Sequence, residues 1–135
     1  MNRIRSIEMN PRVLIVEDEI IVADDLEWQI TQIGYEVVGI TASGGEAVAL
    51  ADQRRPDIVL MDFQLQGSMS GVEAARVIQR NTGAAIIFVT AFPAVFLRNP
   101  DQMQAPGICL SKPFSTVQLK AALHSVRGSG THAST

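Results

Sequence analysis

The amino-acid sequence predicts an α/β domain, a doubly wound parallel sheet of five strands with helices on both faces. Two observations lead there. Short runs rich in β-branched residues alternate five times with longer stretches whose apolar residues recur every three or four positions, the pattern of successive βαβ units. The first strand run, Val13 to Val16, is apolar throughout instead of alternating, as expected where helices cover both faces of a sheet.

The elements follow in order along the chain. Val13-Leu14-Ile15-Val16 reads as the first strand and ends at the acidic triplet Glu17-Asp18-Glu19. Ala23, Leu26, Ile30 and Ile33 then keep helical spacing until Gly34, a C-cap residue. Tyr35 to Thr41 forms the second strand, and Ser43-x-x-Glu46 is a capping box opening a second helix that Pro56 prevents from continuing. Asp57 to Met61 forms the third strand and delivers Asp62 at its carboxyl end. A loop through Gly67 and Ser68 follows, and Ser70-x-x-Glu73 caps the third helix. Ala84 to Val89 is the fourth strand, with Thr90 at its end. Pro93, Pro100 and Pro106 then allow only a short or irregular fourth helix. Ile108 to Ser111 is a short fifth strand ending at Lys112-Pro113. Ser115-x-x-Gln118 caps a last helix carrying Leu119, Ala122, Leu123 and Val126 on one face.

Composition sets the outer limits. With 135 residues, 47% apolar and 19% charged, the chain holds one domain with a substantial core. Residues 11–127 are expected to form it, with 1–10 and 128–135 as flexible termini and no output domain. The net charge is −3, with nine arginines and two lysines scattered, which lacks the basic footprint of a nucleic-acid-binding protein. Cys109 is the lone cysteine, the first ten residues lack the apolar stretch of a signal peptide, and no apolar run approaches the roughly 18 residues of a membrane span. A cytoplasmic, membrane-free protein is expected.

In an open doubly wound sheet, ligands bind beyond the carboxyl ends of the strands. On that rim the first strand places Glu17 and Asp18, the third Asp62, the fourth Thr90 and the fifth Lys112. Three carboxylates brought together repel one another unless a divalent cation neutralises them, and oxygen ligands of this kind suit Mg²⁺. A carboxylate nucleophile beside a cation, a hydroxyl and an ammonium has the parts for phosphoryl transfer to an acyl phosphate.

These residues resemble the receiver domain of bacterial two-component response regulators, from about Arg12 to Arg127. An acidic pair follows the first strand (Glu17-Asp18) and an aspartate the third (Asp62). Thr90-Ala91 follows the fourth, and Lys112-Pro113-Phe114 the fifth. The resemblance implies a flavodoxin-like (βα)5 fold with strand order 2-1-3-4-5. It implies that Asp62 accepts a phosphoryl group from a histidine kinase or phosphotransfer protein in a phosphorelay. Asp18 and Asp62 would bind Mg²⁺ directly, Glu17 through water, and Gln64 through its backbone carbonyl. Thr90 and Lys112 would hold phosphoryl oxygens. Such a protein is a signalling receiver that catalyses its own phosphorylation and dephosphorylation, not a metabolic enzyme. Its downstream target would dock on the face made by helix 4, strand 5 and helix 5, and a homodimer stays open. The stretch Phe88 to Pro93 is similar to receivers of alphaproteobacterial general-stress regulators.

Two positions depart from the usual receiver. Cys109 stands where an aromatic switch residue is common, so the switch positions are Thr90, Ala91, Phe92 and Cys109, with movement expected to concentrate in the backbone and in Phe92 or Phe96. Gln64 and Phe92 would border the path of water to the phosphorus, and a bulky apolar Phe92 predicts slow dephosphorylation. Each residue alone has a plainer reading: acids at a helix start complement its dipole, an aspartate after a strand serves a turn, and a lysine before proline is a solvated loop cation. Their coincidence on one rim is what those readings leave unexplained. Cys109 reads as a small buried side chain, and His124 and His132 have no neighbour suggesting a metal site. An aspartyl phosphatase would need a second acid where Gln64 stands. A flavodoxin-like electron carrier would not place Glu17-Asp18-Glu19 where a phosphate must sit, and a receiver that only docks partners would not need Asp62, Thr90 and Lys112 intact.

Overall fold

The structure is a computed structural model that describes residues 10–63, 65, 67–91 and 106–133, with backbone only for 127–133. Strands β1 (Arg12–Val16), β2 (Glu36–Thr41), β3 (Ile58–Asp62), β4 (Ala85–Thr90) and β5 (Ile108–Ser111) form one sheet in the order β2-β1-β3-β4-β5. Every neighbouring pair is parallel. Helices α1 (Ile20–Ile33), α2 (Gly44–Arg54), α3 (Gly71–Thr82) and a C-terminal helix (Thr116–Ala133) pack against it. Fold class and strand order are as the sequence predicts.

Alternation along the strands divides the core. Leu14, Val16, Val59, Met61, Ile86 and Phe88 point to the face covered by α2 and α3. Val13, Ile15, Ile58, Leu60, Ile87 and Val89 point to the face covered by α1 and the C-terminal helix, where Leu26, Ile30, Leu119 and Leu123 meet them. Each fully buried Leu or Ile stabilises the fold by roughly 1.5–3 kcal/mol. The central strands β1 and β3 are therefore fixed on both sides, and the residues at their carboxyl ends inherit that rigidity.

Local rules account for most boundaries. Gly34 ends α1 in the left-handed conformation, at φ 107°. Ser70 and Glu73 exchange both hydrogen bonds of a capping box at 3.0 and 3.1 Å, and Ser115 and Gln118 do the same at 2.8 and 3.1 Å. The second expected box is half made: Ser43 Oγ accepts from the Glu46 amide, but the Glu46 carboxylate accepts from Thr41 Oγ1 at 2.6 Å instead of returning to Ser43. The register of β1 and β2 slips between Val13 and Leu14. The carbonyl of Val38, beside the slip, accepts from the Arg54 guanidinium.

The C-terminal helix extends to Ala133, through Gly128 and Gly130 and into the 128–135 stretch expected as a flexible terminus. Each glycine costs a helix about 1 kcal/mol relative to alanine, but a helix already nucleated adds a hydrogen bond with every further residue. The expected irregular fourth helix falls on residues 92–105, with Phe92, outside the described residues, as do 1–9 and 134–135. Among the described residues, no helix is long and apolar enough to cross a membrane.

Candidate functional site

The carboxyl ends of β1, β3, β4 and β5 form one rim, and the predicted residues stand on it. Parallel registry sets their heights: Val16 pairs with Met61, Asp62 with Val89, and Thr90 with Ser111. Asp62 is thus the last residue of β3 and Thr90 the last of β4. Lys112 follows β5 directly, and its amide donates to the Thr90 carbonyl at 2.7 Å. The chain leaves β1 through Glu17, whose amide donates to the Thr41 carbonyl of β2 at 2.9 Å.

Glu17, Asp18 and Asp62 each bring a carboxylate oxygen within 4.8 Å of the others. Glu17 is 4% exposed and Asp62 8%, while Asp18 is half-buried at the edge. Burial pushes the Glu17 carboxyl up to about 6 from the ordinary 4.5. The Glu19 amide, donating to Glu17 Oε2 at 3.1 Å, acts against that rise. The charge and hydrogen bond of Asp62 add to it, and the Lys112 ammonium lowers it. Lys112 Nζ lies 3.4 Å from Glu17 Oε1. Thr90 is buried at 3% exposure beside the rim, and Ala91 is exposed just after it.

A divalent cation fits this donor set. Oxygen ligands alone, two of them nearly buried and one raised in pKa first by burial and further by its acidic neighbour, are what Mg²⁺ or a similar hard ion relieves. Gln64, expected to add a backbone carbonyl, lies outside the described residues. Cys109 faces the α2–α3 side beside Phe88, its partner across β4–β5, and burial pushes its thiol up. It stands in the sheet, away from the acidic cluster.

The structure also places contacts on the rim that the sequence reading did not contain. Lys112 reaches Glu17 across 95 residues, a pairing no local pattern encodes. A recess of about 210 Å³ opens beside Glu17 and Asp18, walled by Ile20, Ala23, Ile40 and Ala42. The first residue of α3, Gly71, lies against the Asp62 carbonyl. A glycine just behind a capping serine was the one visible trace of that contact.

Comparison with known proteins agrees with this geometry. Residues 13–124 match the family described as the response regulator receiver domain. The chain is 32% identical over 117 residues to the phyllosphere-induced regulator PhyR of Methylorubrum extorquens, covering 86% of this chain and 43% of that protein. The crystal structure of the response regulator PhyR from Brucella abortus superposes with a TM-score of 0.78 at 35% identity, over 93% of this chain and 52% of that one. The likeness to general-stress receivers seen in Phe88 to Pro93 recurs in these matches. The receiver domain of the sensor histidine kinase PA1611 from Pseudomonas aeruginosa, solved with a magnesium ion coordinated in its active-site cleft, gives a TM-score of 0.73 at 30% identity, over 86% of this chain and 96% of that one. The chain spans about half the length of the curated relatives it matches.

Proposed function

The chain belongs to the response regulator receiver domain family, and from that premise we propose that it accepts a phosphoryl group on Asp62 in a Mg²⁺-dependent phosphorelay. The single observation behind the reading is the Glu17–Asp18–Asp62 cluster at the carboxyl rim, with Thr90 and Lys112 beside it. An oxygen of the Asp62 carboxylate forms the new bond to phosphorus as the bond to the donor's leaving group breaks, and the leaving group keeps the bonding pair. A bound Mg²⁺ would neutralise charge on the phosphoryl oxygens and on the carboxylates that hold it. Asp18 and Asp62 would hold the ion directly and Glu17 through water, with the carbonyl of Gln64 as a further ligand. The Thr90 hydroxyl and the Lys112 ammonium would bind two phosphoryl oxygens, and Lys112 would leave Glu17 to do so. Thr90, Ala91 and Phe92 would carry the change outward toward a protein target on β5, the C-terminal helix and residues 92–105.

The donor would be a histidine kinase or a histidine-containing phosphotransfer protein, and its docking face can be described chemically. Helix α1 carries Asp24, Asp25 and Glu27, all exposed, and no basic side chain. Ile20 and Ile21 stand 77% and 84% exposed at the start of α1, next to Asp18. An apolar face rimmed by Lys or Arg complements that surface, and the charges also steer the encounter. The relatives named anti-anti-sigma factor PhyR from Bartonella quintana suggest a sigma-factor antagonist as the downstream protein.

The test is incubation with acetyl phosphate or phosphoramidate and Mg²⁺, read by intact mass. We expect one added phosphate, labile to base and hydroxylamine, absent without Mg²⁺ and absent in Asp62→Asn. Undiminished labelling of Asp62→Asn would refute the assignment. Phosphotransfer profiled against every histidine kinase and phosphotransfer protein of the source organism then identifies the donor.

A further inference from the structure

We infer that Gly71 is a positioning residue for the phosphoacceptor, its missing side chain setting where the end of β3 stands relative to the rim. The inference rests on the reading of Asp62 given above. A Cβ built on Gly71 would lie 2.6 Å from the carbonyl oxygen of Asp62, 3.2 Å from that of Phe63 and 3.4 Å from Met61 Cγ. The nearest of these is the backbone of the acceptor itself, which cannot rotate away as a flexible side chain does. Gly71 has no left-handed backbone that would demand glycine. Space against the Asp62 peptide is what excludes a side chain there.

Neither partner in the contact yields easily. On the strand side, the Phe63 amide donates to the Val89 carbonyl at 3.1 Å. The Phe63 ring meets Phe88 edge-on, with centroids 6.1 Å apart. On the helix side, the reciprocal Ser70–Glu73 bonds fix the first turn of α3, while Val72, Ala74, Ala75 and Ile78 bury its inner face. Ordinary contact begins near 3.4 Å, so a methyl group at 71 must drive the Asp62 carbonyl and α3 apart by about 0.8 Å from the 2.6 Å available. A displacement of that size at a nucleophile costs on the order of 100-fold in rate. Thr90 and Lys112, to which the proposed function gives the phosphoryl oxygens, are not among the atoms the methyl meets, and saturating Mg²⁺ holds the metal constant.

Gly44 provides a matched control. It too is the first helical residue after a capping serine, and its built Cβ meets the Met69 carbonyl at 3.1 Å and Ala74 Cβ at 3.2 Å, away from the acceptor. The experiment measures labelling rate against phosphoramidate concentration at saturating Mg²⁺ for the wild-type chain, Gly71→Ala and Gly44→Ala, with thermal melts of each. We expect Gly71→Ala to lower the maximal rate 10- to 100-fold with the half-saturating donor concentration within about twofold, and Gly44→Ala to keep the wild-type rate. A merely structural role would lower the melting temperature without this split. If Gly71→Ala fails to fold, the double variant Ser70→Ala/Glu73→Ala carries the test, since it frees the first turn of α3 without adding an atom: a lower maximal rate supports the inference and an unchanged one overturns it. A Gly71→Ala rate equal to wild type, or an equal loss in Gly44→Ala, overturns the inference alone. A wild-type chain that takes no phosphate overturns the acceptor reading and this inference with it.

Discussion

Replacing Glu17 by glutamine should stabilise the metal-free protein at neutral pH and weaken its response to Mg²⁺. The rise of the Glu17 carboxyl from 4.5 to about 6 means that folding costs about 2 kcal/mol once this group is ionised, at 1.36 kcal/mol per pH unit. The group is 4% exposed, so solvent does little to screen that cost. Because the folded-state value is the higher one, the native state holds the proton more tightly and the stability tied to Glu17 is fully present below about 4.5. It is lost as pH rises to about 6 and stays lost above. Glutamine resembles the protonated form. The two proteins should therefore be equally stable near pH 4.5 and diverge to about 2 kcal/mol by pH 7.5, or roughly 8 °C in melting temperature for a domain of this size. The assay is a set of urea and thermal melts in EDTA between pH 4.5 and 8, repeated with Mg²⁺. At ten times its dissociation constant, Mg²⁺ adds about 1.4 kcal/mol to whichever protein binds it, and the wild type should gain more than the variant. A stability difference flat with pH, or a glutamine variant less stable than wild type in EDTA at pH 8, would refute the electrostatic account of the cluster.

Further perturbations separate other parts of the molecule. Asp18→Asn should weaken Mg²⁺ binding in calorimetric titration more than Glu17→Gln, because Asp18 is the expected direct ligand; equal losses would contradict that division. Gly107→Ala should cost roughly 2–4 kcal/mol in urea melts, since Gly107 has φ 141° and its built Cβ lies 2.3 Å from the Ile86 carbonyl. Ser70→Ala should cost about 1 kcal/mol through loss of the α3 cap, and a stability within experimental error of wild type would count against it. Cys109, whose thiol burial pushes up, should react with iodoacetamide at pH 8 more slowly than free cysteine, and a faster reaction would mean the sheet edge at β5 opens.

Sequence periodicity was a good guide wherever one local rule decided the outcome. The strands of this sheet are short apolar runs flanked by turn and cap residues, and Gly34, Ser70 and Ser115 mark helix ends through interactions within three or four residues. Because the strands are parallel, knowing where each ends sufficed to collect Glu17, Asp18, Asp62, Thr90 and Lys112 on one rim without a single distance. Local rules misled where a competing partner lay outside the pattern. Glu46 had the spacing of a capping box, yet Thr41 offered its carboxylate a hydroxyl 2.6 Å away. Residues 128–135 were expected as a flexible terminus, yet the helix continues to Ala133.

What no pattern supplied was the relation between side chains that meet only after folding. Glu17 looked like the lesser member of an acidic pair, assigned to the metal through water. In the structure it is the buried one, touching Asp62 on one side and the Lys112 ammonium on the other. That arrangement explains how the cluster tolerates three carboxylates. Burial, with the Asp62 charge behind it, outweighs the partly exposed lysine, so Glu17 keeps a raised pKa even with its cation 3.4 Å away. A second positive charge at the rim would offset more of the acidic charge, and in the proposed function a bound divalent ion would supply it while leaving Lys112 for an incoming anion. The same reasoning fixes the order of events in a titration: with Mg²⁺ bound, the Glu17 carboxyl should ionise below its metal-free value of about 6, releasing protons on binding. Calorimetry at pH 6 in two buffers of different ionisation enthalpy measures that release. A heat of binding independent of buffer would show that the ion sits too far from Glu17 to share its charge.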